Sequence, residues 1–278
     1  MDHGPWTNYM IVFPNCKINL GLHILRRRAD GFHDLETIFY PVQVKDALEV
    51  LAHKELHFNS SGIDVPGNAT DNLCLKAWHL LKKDFPELTA VNIHLHKHIP
   101  IGAGLGGGSA DAAFMLQLLN DKFRLELSAA QLINYAAQLG SDCAFFIHNQ
   151  PCYATGRGEV LQPLTLDLSG YSMLLVYPGI HVNTGWAFGQ ITPQQPELSL
   201  LESILQPVTS WKDLIKNDFE TPVFSAHPVL REIKEQLYEA GALYATMSGS
   251  GSAMVGIFAK NKIAGILSEA SYRVFEII

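Results

Sequence analysis

The chain has 278 residues, 47% of them hydrophobic and 17% charged, with a formal net charge of −7. At roughly 150 residues per domain this length suggests two domains or one large one, with enough apolar material for a substantial core. The excess negative charge argues against a nucleic-acid partner, and the one basic run, Arg26, Arg27 and Arg28, reads as a solvated turn.

Four cysteines, Cys16, Cys74, Cys143 and Cys152, are scattered without a Cys-x-x-Cys spacing, which predicts reduced thiols and a cytoplasmic protein. No apolar run approaches the ~20 residues that cross a bilayer, so no membrane partner is expected. The opening MDHGPWTNYM lacks the basic and apolar regions of a secretory signal. Residues 1–9 read as a loose leader, with Met10 a candidate start and regular structure beginning near Ile11.

In chain order, the first third reads as strands: YMIVFPNCKINLGLHIL, LETIFYPVQV, DALEVLA and ELHFNS. A loop, SSGIDVPGNATDN, leads to a helix with Asp71 as its expected N-cap and an apolar face of Leu73, Ala77, Leu80 and Leu81, ending near Phe85. A strand is predicted over 91–98. Its alternation sets Val91, Ile93 and Leu95 inward and places His94, His96 and His98 on the wet face rather than at a metal. Pro100 and a glycine run follow. A helix is then predicted from Ser109 to Asn120, with Ala113, Leu116 and Asn120 on one side and Phe114 and Leu118 on the other. Ser128 with Gln131 forms a capping box for a helix through Leu139, stopped by Gly140.

Further on, YSMLLVYPG reads as a fully apolar strand and residues 192–207 as a surface connection. A helix is predicted from Pro228 to Ala240, with Leu230, Ile233 and Leu237 inward and Gly241 as its cap. ATMSGSGSAMVGIFA is a glycine-serine turn entering a strand. Strands and helices mix without strict alternation, so the expected class is α+β in two lobes, divided near residue 165.

The run IPIGAGLGGGSADAA raises the question of what it holds. A Walker A loop needs a lysine after its last glycine, and that position is Gly108. Gly102, Gly104 and Gly107 match a dinucleotide fingerprint in form. However, the preceding strand alternates, Pro100 intervenes, and no βαβ unit opens there. The remaining reading is a loop whose backbone N–H groups, at a helix N-terminus, cup the phosphates of a nucleoside triphosphate. Ser109 offers a hydroxyl at the helix start.

PxGAGLGGGSxDAA, present from Pro100 to Ala113, resembles the phosphate loop of the GHMP kinases. Three further stretches in matching order, PNCKINLGLHILRRRADGFHDLETIF, LGSDCAFF and MSGSGSAM, are similar to those of the 4-diphosphocytidyl-2-C-methyl-D-erythritol kinases within that superfamily. The resemblance implies a lobe like the second domain of ribosomal protein S5 over residues 1–165, carrying ATP and catalysis. It implies a ferredoxin-like lobe over residues 166–278 that closes the substrate cleft. It also implies transfer of the γ-phosphoryl of ATP to the 2-hydroxyl of a cytidine-diphosphate-linked methylerythritol, in the non-mevalonate route to isoprenoids. The alternative is another GHMP-type kinase with a different alcohol or phosphate acceptor. A nucleotide-binding module without turnover would have no use for the lysine and aspartate that follow.

By the same resemblance Asp142 is the base and Lys17 the catalytic cation. The ATP phosphates fall to Pro100, Ile101, Gly102, Ala103, Gly104, Leu105, Gly106, Gly107, Gly108, Ser109 and Ala110. Asn19, on the strand face of Lys17, helps hold the substrate. His33 reads the cytosine edge, and Phe32 and Phe188 sandwich the base. Phe32 stands where the family has tyrosine, so stacking survives and a hydroxyl contact is lost. Phe39 matches a further aromatic position, and Thr184 lies toward the diphosphate or sugar. Magnesium is expected, with Ser109 as one candidate partner and no glutamate placed to join it, so no protein metal ligand is assigned. MSGSGSAM supplies backbone N–H groups near the phosphates or forms a tight turn. The expected partner is one small molecule, and the expected assembly a monomer or weak homodimer.

Overall fold

The computed structural model describes residues 9–262 and 272–277, so residues 1–8 of the expected leader lie outside the described residues. The strands are β1 (Tyr9–Val12), β2 (Asn15–Arg27), β3 (His33–Lys45), β4 (Ala47–Ala52), β5 (His57–Gly62), β6 (Val91–Lys97), β7 (Cys152–Thr155), β8 (Val160–Pro163), β9 (Tyr171–Tyr177), β10 (Tyr244–Met247), β11 (Met254–Ala259) and β12 (Arg273–Ile277). The helices are α1 (Leu73–Asp84), α2 (Gly107–Phe123), α3 (Ala129–Leu139), α4 (Cys143–His148), α5 (Thr184–Gly189), α6 (Leu200–Ile204), α7 (Trp211–Leu214), α8 (Glu220–Ala226) and α9 (Pro228–Glu239). These elements fall into two compact units. The first comprises Met1–Cys16, Gln43–Ile101 and Gly106–Asn149; the second comprises Lys17–Val42, Gly102–Leu105 and Gln150–Ile278.

In the first unit the strands form one sheet in the order β1-β4-β6-β5, with β5 and β6 parallel and the other pairs antiparallel. The alternation read in β6 holds: Val91, Ile93 and Leu95 are buried while His94, His96 and His98 are exposed. Helix α2 packs against α1, α3 and α4 and against the sheet. It is therefore buried around most of its circumference, with Ala112, Ala113, Met115, Leu116, Leu118 and Leu119 all inaccessible. This explains why its sequence is small and apolar rather than cleanly two-faced.

Several sequence expectations are corrected here. The first strand is not continuous from Tyr9 to Leu25. Pro14, which has no N–H for a ladder, separates β1 from β2, and the two strands join different sheets. The N-cap of α1 is Asn72, not Asp71. Asn72 has extended backbone angles and its side chain accepts from Cys74 N at 2.8 Å, whereas Asp71 closes a 3-10 turn. Helix α2 starts at Gly107, two residues before the serine expected to open it. Residues 192–207 are not all surface connection. Ser199 and Glu202 form a capping box for α6, and the spacing of Leu200 and Ile204 buries both on one face. Two other expectations stand: both hydrogen bonds of the Ser128–Gln131 capping box are present, and Leu230, Ile233 and Leu237 line the buried face of α9, whose cap is Ala240 rather than Gly241.

The second unit holds two sheets among the described residues, β2-β3-β7-β8 and β10-β11-β9-β12. The latter is antiparallel throughout, with its first strand between its third and fourth, the strand order of a ferredoxin-like sheet. Helix α9 covers β10 and β11, and a core of Leu174, Val176, Leu230, Ile233, Leu237 and Phe258 fills the layer between.

Glu36 knots this unit together. Its carboxylate meets His23 Nδ1 at 2.9 Å and accepts from Tyr153 Oη at 2.5 Å and from Leu200 N at 3.0 Å, joining β2, β3, β7 and α6. Burial pushes its pKa up, but these hydrogen bonds outweigh burial and hold it below the usual glutamate value. A carboxyl lowered on folding contributes stability that is fully present above its unfolded pKa and is lost as pH falls through the folded value. We therefore expect Glu36→Gln to flatten the acid limb of stability below about pH 4.5 and to lower stability at neutral pH. Urea unfolding across pH checks this, and parallel acid limbs in both proteins would contradict it.

Candidate active site

The glycine run is shaped residue by residue. Gly102, Gly104 and Gly106 have φ of +67°, +79° and +69°, which side-chain-bearing residues rarely adopt. A Cβ on Gly104 would also strike the carbonyl oxygen of Ser248. Gly107 is a regular helical residue whose Cβ would lie 2.9 Å from Ile99 Cγ2 and 3.1 Å from Lys97 Nζ, so it is glycine for lack of room.

Gly108 is different. It is helical and exposed, and a Cβ there would meet only Leu73 Cδ1, at 3.9 Å. Nothing in the fold requires glycine at this position. The first-turn N–H groups of α2 have no side-chain cap, since the N-cap is Gly106. The Ser109 side chain bonds the Cys143 thiol, whose pKa burial raises to about 11.

The segment Gly102–Leu105 is held by polar groups of the second unit. Lys17 N donates to Leu105 O at 3.0 Å and Ala253 N donates to Ala103 O at 3.0 Å. Ser248 Oγ donates to Gly104 O at 2.9 Å and accepts from Asn19 N at 3.1 Å. The turn between β10 and β11 thus grips the glycine segment, and Asn217 holds that turn in place by donating to Met247 O at 2.7 Å and Gly249 O at 2.8 Å.

Lys17 lies in the same network and is only 4% exposed. Its Nζ donates to Asn19 Oδ1 at 2.5 Å and to Gly104 O at 3.2 Å, and it lies 4.8 Å from the centroid of the Phe39 ring. The shared strand face of Lys17 and Asn19 is therefore as the period-two alternation requires. Asn19 Nδ2 donates to Thr37 Oγ1 at 2.9 Å, which fixes the amide.

A second group surrounds His33. Its ring stacks on Phe188 with centroids 5.1 Å apart and planes 17° apart, and Phe188 meets Phe219 edge-on. Burial, reinforced by Arg27, lowers the His33 pKa, so the ring is neutral near pH 7 and offers one donor and one acceptor. Phe32 is 53% exposed, with the Arg157 guanidinium 4.6 Å above its ring. An exposed aromatic ring pinned by a cation is a prepared stacking surface. Thr184 opens α5, and its Oγ1 lies 2.9 Å from Ser250 Oγ. Asp142 precedes α4 in the first unit, partly exposed, with Ser141 Oγ 3.4 Å from its Oδ1. Pro100 is buried and Ile101 partly so.

Comparison with known proteins shows the family. Residues 72–150 match the GHMP kinases N terminal domain and residues 200–273 the GHMP kinases C terminal model. The 4-diphosphocytidyl-2-C-methyl-D-erythritol kinase of Bacteroides thetaiotaomicron is 54% identical over 253 residues, covering 90% of this chain and 92% of its own. The protein of the same description from Cytophaga hutchinsonii is 50% identical, with 90% and 92% covered. The chain belongs to the 4-diphosphocytidyl-2-C-methyl-D-erythritol kinases, a branch of the GHMP kinases.

A crystal structure of a kinase of this family superposes with a TM-score of 0.79 at 33% identity, covering 89% of this chain and 90% of that one. A homoserine kinase from Cytophaga hutchinsonii shares the fold, with a TM-score of 0.75 at 16% identity and 100% and 97% covered. Among the expected site residues of this GHMP kinase, the structure brings Lys17, Asn19 and Phe39 together beside Gly104, and stacks His33 on Phe188. Sequence reasoning missed the grips on the loop from Ser248 and Asn217. It also missed Arg157, whose only signal was its place between two turn glycines.

Gly108→Ala separates fold from function in this kinase. Alanine is the better helix former, so thermal stability should be unchanged or raised by on the order of 0.5 kcal/mol. Affinity for ATP should nonetheless fall at least about tenfold, as a methyl group intrudes where phosphate approaches the first turn. Thermal melts and nucleotide titration read the two effects separately. Retained affinity would show that nothing approaches that closely.

Proposed function

We propose that the protein transfers the γ-phosphoryl group of ATP to the 2-hydroxyl of 4-diphosphocytidyl-2-C-methyl-D-erythritol, within the non-mevalonate route to isoprenoid precursors. The observation that carries this reading is identity of 50% or more with kinases of that description over nine-tenths of the chain. The chemistry of the residues supports it. Phosphoryl transfer needs positioning, charge neutralisation and a place for the alcohol proton. Asp142 receives the proton of the 2-hydroxyl. The hydroxyl oxygen bonds to the γ-phosphorus as the bond to the β-γ bridging oxygen breaks, and ADP leaves. Lys17, whose Nζ donates to Asn19 Oδ1 and Gly104 O, supplies positive charge to the reacting oxygens.

Phosphates lie against the glycine run from Pro100 to Ala110. The cytosine stacks between Phe32 and Phe188, and the neutral ring of His33 pairs with its edge. Asn19, Phe39 and Thr184 complete the acceptor side. Displacing the His33–Phe188 stack in favour of the base exchanges one π contact for another at little cost.

Magnesium would neutralise the phosphates. Among the described residues no group of three or more histidine, cysteine, aspartate or glutamate side chains is arranged to hold a metal. Oxygen donors are present in the Ser109 hydroxyl and the Asp142 carboxylate. This suits an ion that keeps several waters and binds through one or two protein oxygens and the nucleotide itself. We read the protein as a cytoplasmic monomer or weak homodimer. Among the described residues no helix is long and apolar enough to cross a membrane.

An ADP-release assay on the cytidine substrate, with mevalonate and homoserine as controls, tests the acceptor. Turnover of either control at a comparable rate would overturn it. Asp142→Asn should lower kcat by about 10²–10⁴ while ATP still binds. Unchanged turnover would remove Asp142 from the role of base. His33→Ala should raise KM for the cytidine substrate at least about tenfold and leave KM for ATP within twofold, because it deletes a hydrogen-bonding edge and a stacking partner together. Equal effects on both would contradict the assignment.

A further inference from the structure

Three ionisable side chains that the mechanism above does not use are sealed inside the first unit. Lys97 ends β6, Asp46 precedes β4 and Asp111 lies on α2, and all three are buried. Lys97 Nζ bonds Asp111 Oδ2 at 2.7 Å and Asp46 Oδ2 on its other side. Asp46 Oδ1 accepts from the backbone N–H groups of His98 at 2.6 Å and Ile99 at 2.8 Å, the residues that lead into the glycine run. Asp46 is thus satisfied at both oxygens. Asp111 is not: its Oδ1 is buried without a hydrogen-bond partner.

Such a cluster is a poor way to stabilise a core. Apolar side chains of similar volume usually do as well or better, and one carboxylate would suffice to neutralise one ammonium. The location of the cluster explains it better. The Lys97 ammonium leaves only 3.1 Å for a Cβ on Gly107, so it lies directly beneath the first residue of α2.

We propose that Lys97, clamped between Asp46 and Asp111, is the positioning residue of the phosphate loop: it sets the start of α2 and so the place of the N–H groups that receive the nucleotide phosphates. The inference rests on the phosphate-loop reading.

Calorimetric titration tests this, with a non-hydrolysable ATP analogue and, separately, the cytidine substrate. Lys97→Met should weaken the nucleotide at least about tenfold and the cytidine substrate less than twofold. Asp111→Asn keeps the shape of the clamp and removes one ion pair from it, so it should weaken the nucleotide by about three- to tenfold and leave the cytidine substrate within twofold. If Lys97→Met does not fold, Asp111→Asn carries the test alone. An Asp111→Asn protein matching the parent overturns the inference, as does equal loss of both ligands. The Gly108→Ala protein separates the two levels. If it binds weakly while the Lys97 and Asp111 variants are unaffected, only this inference fails. If it too binds normally, the phosphate-loop reading fails and takes the inference with it.

Discussion

A backbone poor in side chains cannot hold its own shape, yet the glycine run adopts a defined one. Gly102, Gly104 and Gly106 occupy conformations closed to other residues, and Gly107 has no room for a methyl group. The shape is therefore imposed from outside. For Gly102–Leu105 the imposing groups are the backbone of Lys17 and Ala253 and the hydroxyl of Ser248. For the start of α2 they are Lys97 and Ile99, seated below Gly107. Much of each unit can be understood as the means of delivering these few groups.

The same requirement accounts for polar side chains where an apolar pattern would be expected. Lys17 stands in a strand whose neighbours are buried, and burying an ammonium is costly unless its donors are used. Asn19 and the Gly104 carbonyl accept from it, and the Phe39 ring lies beside it. Lys97, in the first unit, meets the same need with the carboxylates of Asp46 and Asp111.

The aromatic group around His33 follows a different logic, since stacking depends on ring faces rather than on charge. Phe32 keeps one face toward solvent and the other under Arg157, while Phe188 is backed by Phe219. The Arg157 guanidinium lies 4.6 Å from the Phe32 ring centroid.

Local signals carried a large part of this protein. Glycine spacing located the loop, period-two alternation put Lys17 beside Asn19 and the histidines of β6 in water, and the Ser128–Gln131 pair marked a helix start. These features depend on neighbours in the chain, whose geometry is covalent. The alternation in β6 even placed Lys97 on the buried face, but a lysine there reads as an anomaly until its partners are known, and Asp46 and Asp111 lie on other elements. The break at Pro14, the buried face of α6 and the grip of Ser248 on Gly104 were likewise out of reach. Sequence determined which backbone could be bare and which strand faces were polar. Only the tertiary structure decided which distant hydrogen-bonding groups meet that backbone, because a buried donor or acceptor is tolerable only where the fold brings it a partner.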